Sequence, residues 1–173
     1  MPWWAHEGSP VSPYRPDLVD CWTYRAGPSG LEILLVRRAP GRILPGLWQC
    51  VSGSLEPGER VAAGALRELE EETGFGADSI LVFYDLDLVN QFHEPSVDAI
   101  VTAAVFAVRV AVDAQPRLSH EHDDARWRPL DTAQREVIWP AYRMAIERIR
   151  DDLSDPVRAA WFELDVEGQR KPR

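Results

Sequence analysis

Residues 53–75 read GSLEPGERVAAGALRELEEETGF, a glycine-rich loop running straight into a helix-favouring segment that ends in a crowd of acids. On an α-helix Glu68, Glu71 and Glu72 stand at i, i+3 and i+4, so they leave one face and can converge on a single hard cation. Ala62, Ala65, Leu66 and Leu69 recur at helical intervals and predict the face that packs inward. A solvated acidic helix explains that amphipathicity equally well. It does not explain why Glu68, Glu70, Glu71 and Glu72 crowd the C-terminal end, where the macrodipole disfavours anions and Arg67 is read as pointing to the other side. A bound cation would relieve the repulsion. Magnesium suits such a site, because it takes oxygen ligands and leaves positions for water and substrate phosphates, so the helix points to phosphate chemistry. Gly74 fits the left-handed residue that commonly ends a helix.

The same stretch resembles the Nudix box: a glycine, five residues, a glutamate, seven residues, then Arg-Glu-hydrophobic-x-Glu-Glu-x-Gly-hydrophobic. Gly53, Glu59, Arg67, Glu68, Glu71, Glu72 and Gly74 occupy its fixed positions, and Leu69 and Phe75 its hydrophobic ones. The resemblance implies an α/β/α sandwich with a mixed β-sheet between helices, and a hydrolase acting on a nucleoside diphosphate linked to some further group. It implies Glu71 and Glu72 as the metal-binding pair. Glu68 matches a metal ligand or the acceptor of a proton from the attacking water. Glu59 and Arg67 match a supporting pair that holds the loop against the helix. The backbone carbonyl of Ser52 matches a further ligand, and Glu121, in Ser119-His120-Glu121-His122 ahead of Trp127, matches an acid supplied from beyond the box. His120 and His122 read as loop histidines, since magnesium prefers oxygen. The implied cofactor is Mg2+, with Mn2+ equally compatible.

Candidate substrate contacts are Arg37, Arg38, Trp48, Gln49 and Phe92. A guanidinium meets phosphate oxygens in two-point fashion, but adjacent strand residues face opposite ways, so at most one of Arg37 and Arg38 is expected to point into the site. Trp48 is either a base-stacking platform or a plug at a core edge. Leu34-Leu35-Val36-Arg37-Arg38, Trp48 to Ser54, and Glu121-His122 with Trp127 are similar to the branch containing dihydroneopterin triphosphate pyrophosphohydrolase and related (deoxy)nucleoside triphosphate pyrophosphatases. That branch would release pyrophosphate and leave a monophosphate. Neighbouring branches act on ADP-ribose or dinucleoside polyphosphates; Asn90 stands where the first often carries proline, and Phe92 where the second often shows tyrosine. A non-catalytic nucleotide-sensing Nudix module is the reading from another class, and it would be expected to have lost a glutamate that is present here.

Composition sets the frame. With 173 residues, 45% of them hydrophobic, the chain fits one domain of about 100–200 residues. A formal charge of −9 argues against a nucleic-acid polymer as partner and is compatible with a small phosphorylated, nucleotide-like substrate. Cys21 and Cys50 make no metal or redox spacing and read as buried thiols. The absence of a leader or membrane-length apolar run predicts a cytoplasmic protein without membrane contact. Residues 1–16 form a proline-rich arm whose Trp3 and Trp4 could cover a core edge, contact a second subunit in a homodimer or line a substrate mouth. Residues 17–165 form the domain, and 166–173 a polar tail, disordered from Glu167 on. Within the domain a hairpin of Leu18–Arg25 and Leu31–Arg38 precedes the box helix from Glu59 to Thr73. Strands at 79–92, 97–112 and 125–130 follow it. Asp131 is the expected cap of a short helical turn. Pro140 is expected to open a helix with an apolar stripe of Tyr142, Ala145, Ile146, Ile149 and Leu153, and Pro156 to Leu164 to form a short docked helix.

Overall fold

The computed structural model describes residues 14–171, so most of the proline-rich arm, including Trp3 and Trp4, and residues 172–173 lie outside the described residues. Nearly continuous apolar runs, buried on both sheet faces, build β1 (Leu18–Gly27) and β2 (Gly30–Arg38), which pair antiparallel across the Pro28-Ser29 turn. Two short strands follow, β3 (Trp48–Gln49) against β2 and β4 (Val51–Ser54) against β1. The box helix α1 (Val61–Thr73) leads into the long hairpin of β5 (Ile80–Glu94) and β6 (Ala99–Val110). Strand β6 runs parallel to β1, which makes the sheet mixed. β7 (His122–Pro129) returns to β2, and α2 (Leu130–Glu136) and α3 (Pro140–Arg148) complete the domain with a π-helical continuation at Ile149–Leu153. Short α4 (Pro156–Ala159) and β8 (Glu163–Leu164) close it at the β5 edge. Among the described residues the path across the sheet is β3-β2-β1-β6-β5-β8.

The sheet separates two apolar layers, as the α/β/α expectation requires. On one face Ala62, Ala65 and Leu69 of α1 pack with Val19, Cys21, Val36, Val51 and Phe106. On the other, Tyr142, Ala145, Ile146, Ile149 and Leu153 pack with Trp22, Tyr24, Ile33 and Leu35, so the predicted stripe is buried in full. Trp22 meets Tyr142 edge to face at 5.3 Å, tying β1 to α3.

Four local expectations are corrected. Helix α1 begins at Val61, with Arg60 as an N-cap that makes no side-chain cap bond. Pro129 precedes α2 and Asp131 lies inside its first turn, so Asp131 is not the cap. The helix at Pro156 lasts four residues because Phe162 turns inward and Glu163–Leu164 pairs with β5 instead. The segment from Glu167 to Lys171 is not a disordered tail: Arg170 donates to the Trp161 carbonyl and to Asp85, and Lys171 pairs with Glu163.

Ile146 is fully buried beneath the sheet. Ile146→Ala is expected to lower unfolding free energy by about 2–5 kcal/mol, measured by urea denaturation, because the rigid sheet cannot collapse into the space.

Candidate active site

The loop after β4 returns beneath α1 because Arg67 holds it there. Its guanidinium donates to both oxygens of Glu59, at 2.8 and 3.0 Å, and to the Ser54 carbonyl at 3.0 Å. Glu59 also accepts the Glu56 N–H at 3.0 Å. These bonds, Arg67's first, bring the Glu59 carboxyl down to about 2. Two glycines permit the approach. A Cβ at Gly53 would overlap the Glu68 carboxylate, and one at Gly64 would strike Leu55 and Glu59. At the far end Gly74 takes φ 73° and donates its N–H to the Glu70 carbonyl, ending the helix as expected.

The three acids do not meet solvent alike. Glu71 is 58% exposed and Glu68 is 13% exposed, while Glu72 is 5% exposed. Arg67 reaches Glu68 at 2.9 Å and Glu71 at 3.3 Å, so it faces the acids and relieves part of their repulsion, contrary to the sequence reading. It leaves Glu72 unaided. Burial, then the like charges of Glu68 and Glu121, push the Glu72 carboxyl up to about 8. Burial also raises Glu68, against the pull of Arg67. Glu72 Oε2 is buried without a hydrogen-bond partner.

Among the described residues no three His, Cys, Asp or Glu side chains already stand close enough to hold one ion. The donor set nonetheless fits a hard divalent cation. It consists of carboxylate oxygens whose charges act on one another, one of them a buried oxygen with nothing to bond. Glu121 belongs to this neighbourhood, because its charge acts on both Glu68 and Glu72. It lies 3.4 Å from Arg42, a cation the sequence reading passed over.

The other candidate contacts divide by strand face. Arg38 sits near the acids, its charge acting on both Glu72 and His122, with Nε held by the Ile43 carbonyl at 2.6 Å. Arg37 faces away and donates to Asp123 at 2.7 Å. Trp48 packs on the core, and the guanidiniums of Arg126 and Arg37 lie 4.6 and 5.7 Å from its ring centre, so it is a core plug with cations on its ring. Gln49 is buried at the β2–β3 pairing rather than presented to solvent. Phe92 is 43% exposed on β5, opposite Val101.

Two further groups escaped the sequence reading. His122 is no loop histidine: it opens β7 with its side chain fully buried, Nδ1 3.4 Å from Glu72 Oε2. Burial first, then Arg38, brings its imidazole down to about 4. Although the pair stands at ion-pair distance, burial drives both members toward their uncharged forms. Asp20 lies buried beside Ser52 in the β1–β4 register and accepts 2.6 Å from Asn90. A lone acid inside the apolar run LVDCWTY was the available signal for it.

A model of the NUDIX domain matches residues 15–149. A curated Myxococcus xanthus protein named octanoyltransferase is 40% identical over 119 residues, 68% of this chain and 32% of that protein. The chain thus spans about a third of the length of that relative. The E. coli dihydroneopterin triphosphate pyrophosphohydrolase structure is 25% identical with a TM-score of 0.66, covering 78% of this chain and 94% of that one. A C. elegans Ap4A hydrolase binary complex, 19% identical with a TM-score of 0.67 over 79% and 96% of the two chains, shares the fold.

Burial raises the Asp20 carboxyl from 3.8 to about 6. Below pH 4 both the folded and unfolded chains hold this proton. As pH rises through 6 the unfolded chain has already released it, so the folded state is penalised, by on the order of 3 kcal/mol when the shift is fully expressed. Asp20→Asn is therefore expected to gain stability relative to the parent between pH 4 and 7 and to show a constant difference above that, read by urea melts across pH.

Proposed function

The chain belongs to the NUDIX family, whose model spans most of it, and on that premise we propose a divalent-metal-dependent hydrolase that cleaves a pyrophosphate bond in a nucleoside- or pterin-triphosphate. Pyrophosphate and a monophosphate would be the products. The observation that carries this reading is the complete set of box acids around a buried, unpartnered Glu72 oxygen. The likeness to dihydroneopterin triphosphate pyrophosphohydrolase supports the substrate class.

Glu71, Glu72, Glu68, Glu121 and the Ser52 carbonyl would hold Mg2+ or Mn2+. The bound ion would neutralise phosphate charge and lower the pKa of water at the site. Glu68 is half-sheltered and raised by burial, which suits a carboxylate that takes a proton from the attacking water. Arg67 keeps Glu68 and Glu71 directed along one side of the helix while fixing the loop through Glu59. Arg38 would grip the terminal phosphates from the β2 end, and Arg42 is within reach of the same acids through Glu121. In-line displacement at phosphorus needs little else from the protein beyond position and charge.

Octanoyl transfer is not supported for this chain. The matched stretch is only 32% of the relative so named, so that name does not carry over to this chain. Both cysteines are buried, with their thiols pushed well up, so neither offers a thiolate nucleophile.

Assay with Mg2+ of dihydroneopterin triphosphate, ordinary and oxidised (deoxy)nucleoside triphosphates, ADP-ribose and diadenosine polyphosphates, with pyrophosphate and phosphate read separately, tests the proposal. Pyrophosphate from a triphosphate supports it. Cleavage confined to ADP-ribose or dinucleotides would overturn the substrate class, and no metal-dependent cleavage would favour a sensing module. Glu72→Gln and Glu71→Gln are each expected to lower kcat by at least about 100-fold, more than loss of an outer supporting group costs. Arg38→Ala is expected to raise KM about 10–100-fold, the worth of a charge-assisted hydrogen bond. Arg37→Ala should leave both constants near wild type.

A further inference from the structure

A backbone clamp joins the end of the box helix to the segment before β7. Arg117 donates its N–H to the Thr73 carbonyl at 2.7 Å and Ser119 to the Glu72 carbonyl at 3.1 Å. Ser119 Oγ then accepts the Glu121 N–H at 3.2 Å. The same short segment therefore brings Glu121 toward the acid cluster and His122 under Glu72. The His122 ring lies in a fully buried position, and neither of its nitrogens has a hydrogen-bond partner. The Glu72 oxygen it faces lacks one as well. At 3.4 Å the two are slightly too far apart for a formed hydrogen bond. An apolar side chain could fill this space without the cost of burying two ring nitrogens, so packing alone does not account for histidine here.

We propose that His122 is the positioning residue of Glu72, donating its Nδ1 proton to Oε2 so that the other carboxylate oxygen is held toward the cation. This rests on the reading of Glu72 as a metal-holding residue. A buried carboxylate with two free oxygens can rotate about its last bond. Tying one oxygen to a ring fixed by β7 pairing with Arg38 restricts that rotation and directs the second. The donated proton requires the Nδ1–H tautomer, which leaves Nε2 as an acceptor.

The test is Mn2+ binding to the full chain, followed by the loss of the free-ion electron paramagnetic resonance signal, in wild type, His122→Phe, His122→Asn and Glu72→Gln, with thermal melts of each. Phenylalanine fills the space but donates nothing, whereas asparagine offers an amide N–H close to the position of Nδ1. H122F is expected to weaken Mn2+ binding about 10–100-fold, the usual loss when an outer partner of a metal ligand is removed. H122N should return most of it. Wild-type affinity in H122F, alongside weakened binding in E72Q, would overturn the proposal and leave the role of Glu72 standing. Equal weakening in H122F and H122N would mean that an N–H donor at this position does not restore the site, and would overturn it too. Undiminished Mn2+ binding in E72Q would overturn the reading of Glu72 itself, and this proposal with it.

Discussion

Arg67 is the residue on which the geometry of the site depends. One guanidinium bonds both oxygens of Glu59, the Ser54 carbonyl, Glu68 and Glu71. Without it the loop from Ser54 to Arg60 would have little to hold it to the helix, and Glu68 and Glu71 would repel each other across one turn. A lysine has a single point of charge and could not span loop and helix together. The two glycines answer the same demand from the backbone side: Gly53 makes room for the Glu68 carboxylate, and Gly64 for Glu59 and Leu55. The fixed arginine, glutamate and glycine positions thus form one mechanical unit.

The electrostatics divide the acids by depth. Glu71 is largely solvated and Glu68 is half-buried and neutralised in part by Arg67, while Glu72 bears the full penalty of burial among like charges. Such a gradient is costly for a fold with nothing to gain from it, because a buried carboxyl lacking a partner destabilises by more than most packing contacts return. It becomes intelligible if the deep oxygen is kept for a cation, and the shallower acids are arranged around the path by which substrate arrives.

The main lines of this fold were legible in the chain. Runs of strand-forming residues bounded by turn residues predicted the β1–β2 hairpin and the long β5–β6 pair, and the stripe from Tyr142 to Leu153 predicted the helix that covers the far face. The box marked which helix carries the acids. The failures have common physical causes. The direction of Arg67 depends on a long flexible side chain choosing among several carboxylates, which spacing along a helix does not decide. Trp48 and Gln49 look available beside a glycine-rich loop, but β3 pairs with β2, which buries Gln49 and lays Trp48 against the core. His122 looked like a loop residue because the sequence gives no sign that β7 starts three residues before Ala125, and with that start the ring passes from solvent to core. The C-terminal segment is polar in composition, yet it is held by the Leu164–Arg170 backbone bridge and by the Arg170 side chain, neither of which composition reveals.

For a chain of net charge −9 to take a phosphorylated substrate, as proposed above, repulsion must be overcome, and the balance is local. Charges farther off than a Debye length of about 8–10 Å are screened, so what a phosphate meets is the immediate surroundings. Here these are the acids along α1 and, near them, Arg38 at the end of β2 and Arg42 on the loop that follows. That loop holds its shape with Gly41, Leu44 and Gly46 all at positive φ. For leucine this is a disfavoured conformation, costing on the order of 1–2 kcal/mol. Strain of this kind persists where surrounding bonds impose it, and here Arg38 is bonded on both sides of the loop, through its backbone to Gly46 and Leu47 and through Nε to Ile43. The arginines alone would attract the substrate, but Glu71 and Glu121 oppose it. A cation among the acids removes that opposition, while a phosphate adds ligands for the cation. Each should therefore bind more tightly in the presence of the other, a reciprocity that follows from linkage whichever arrives first.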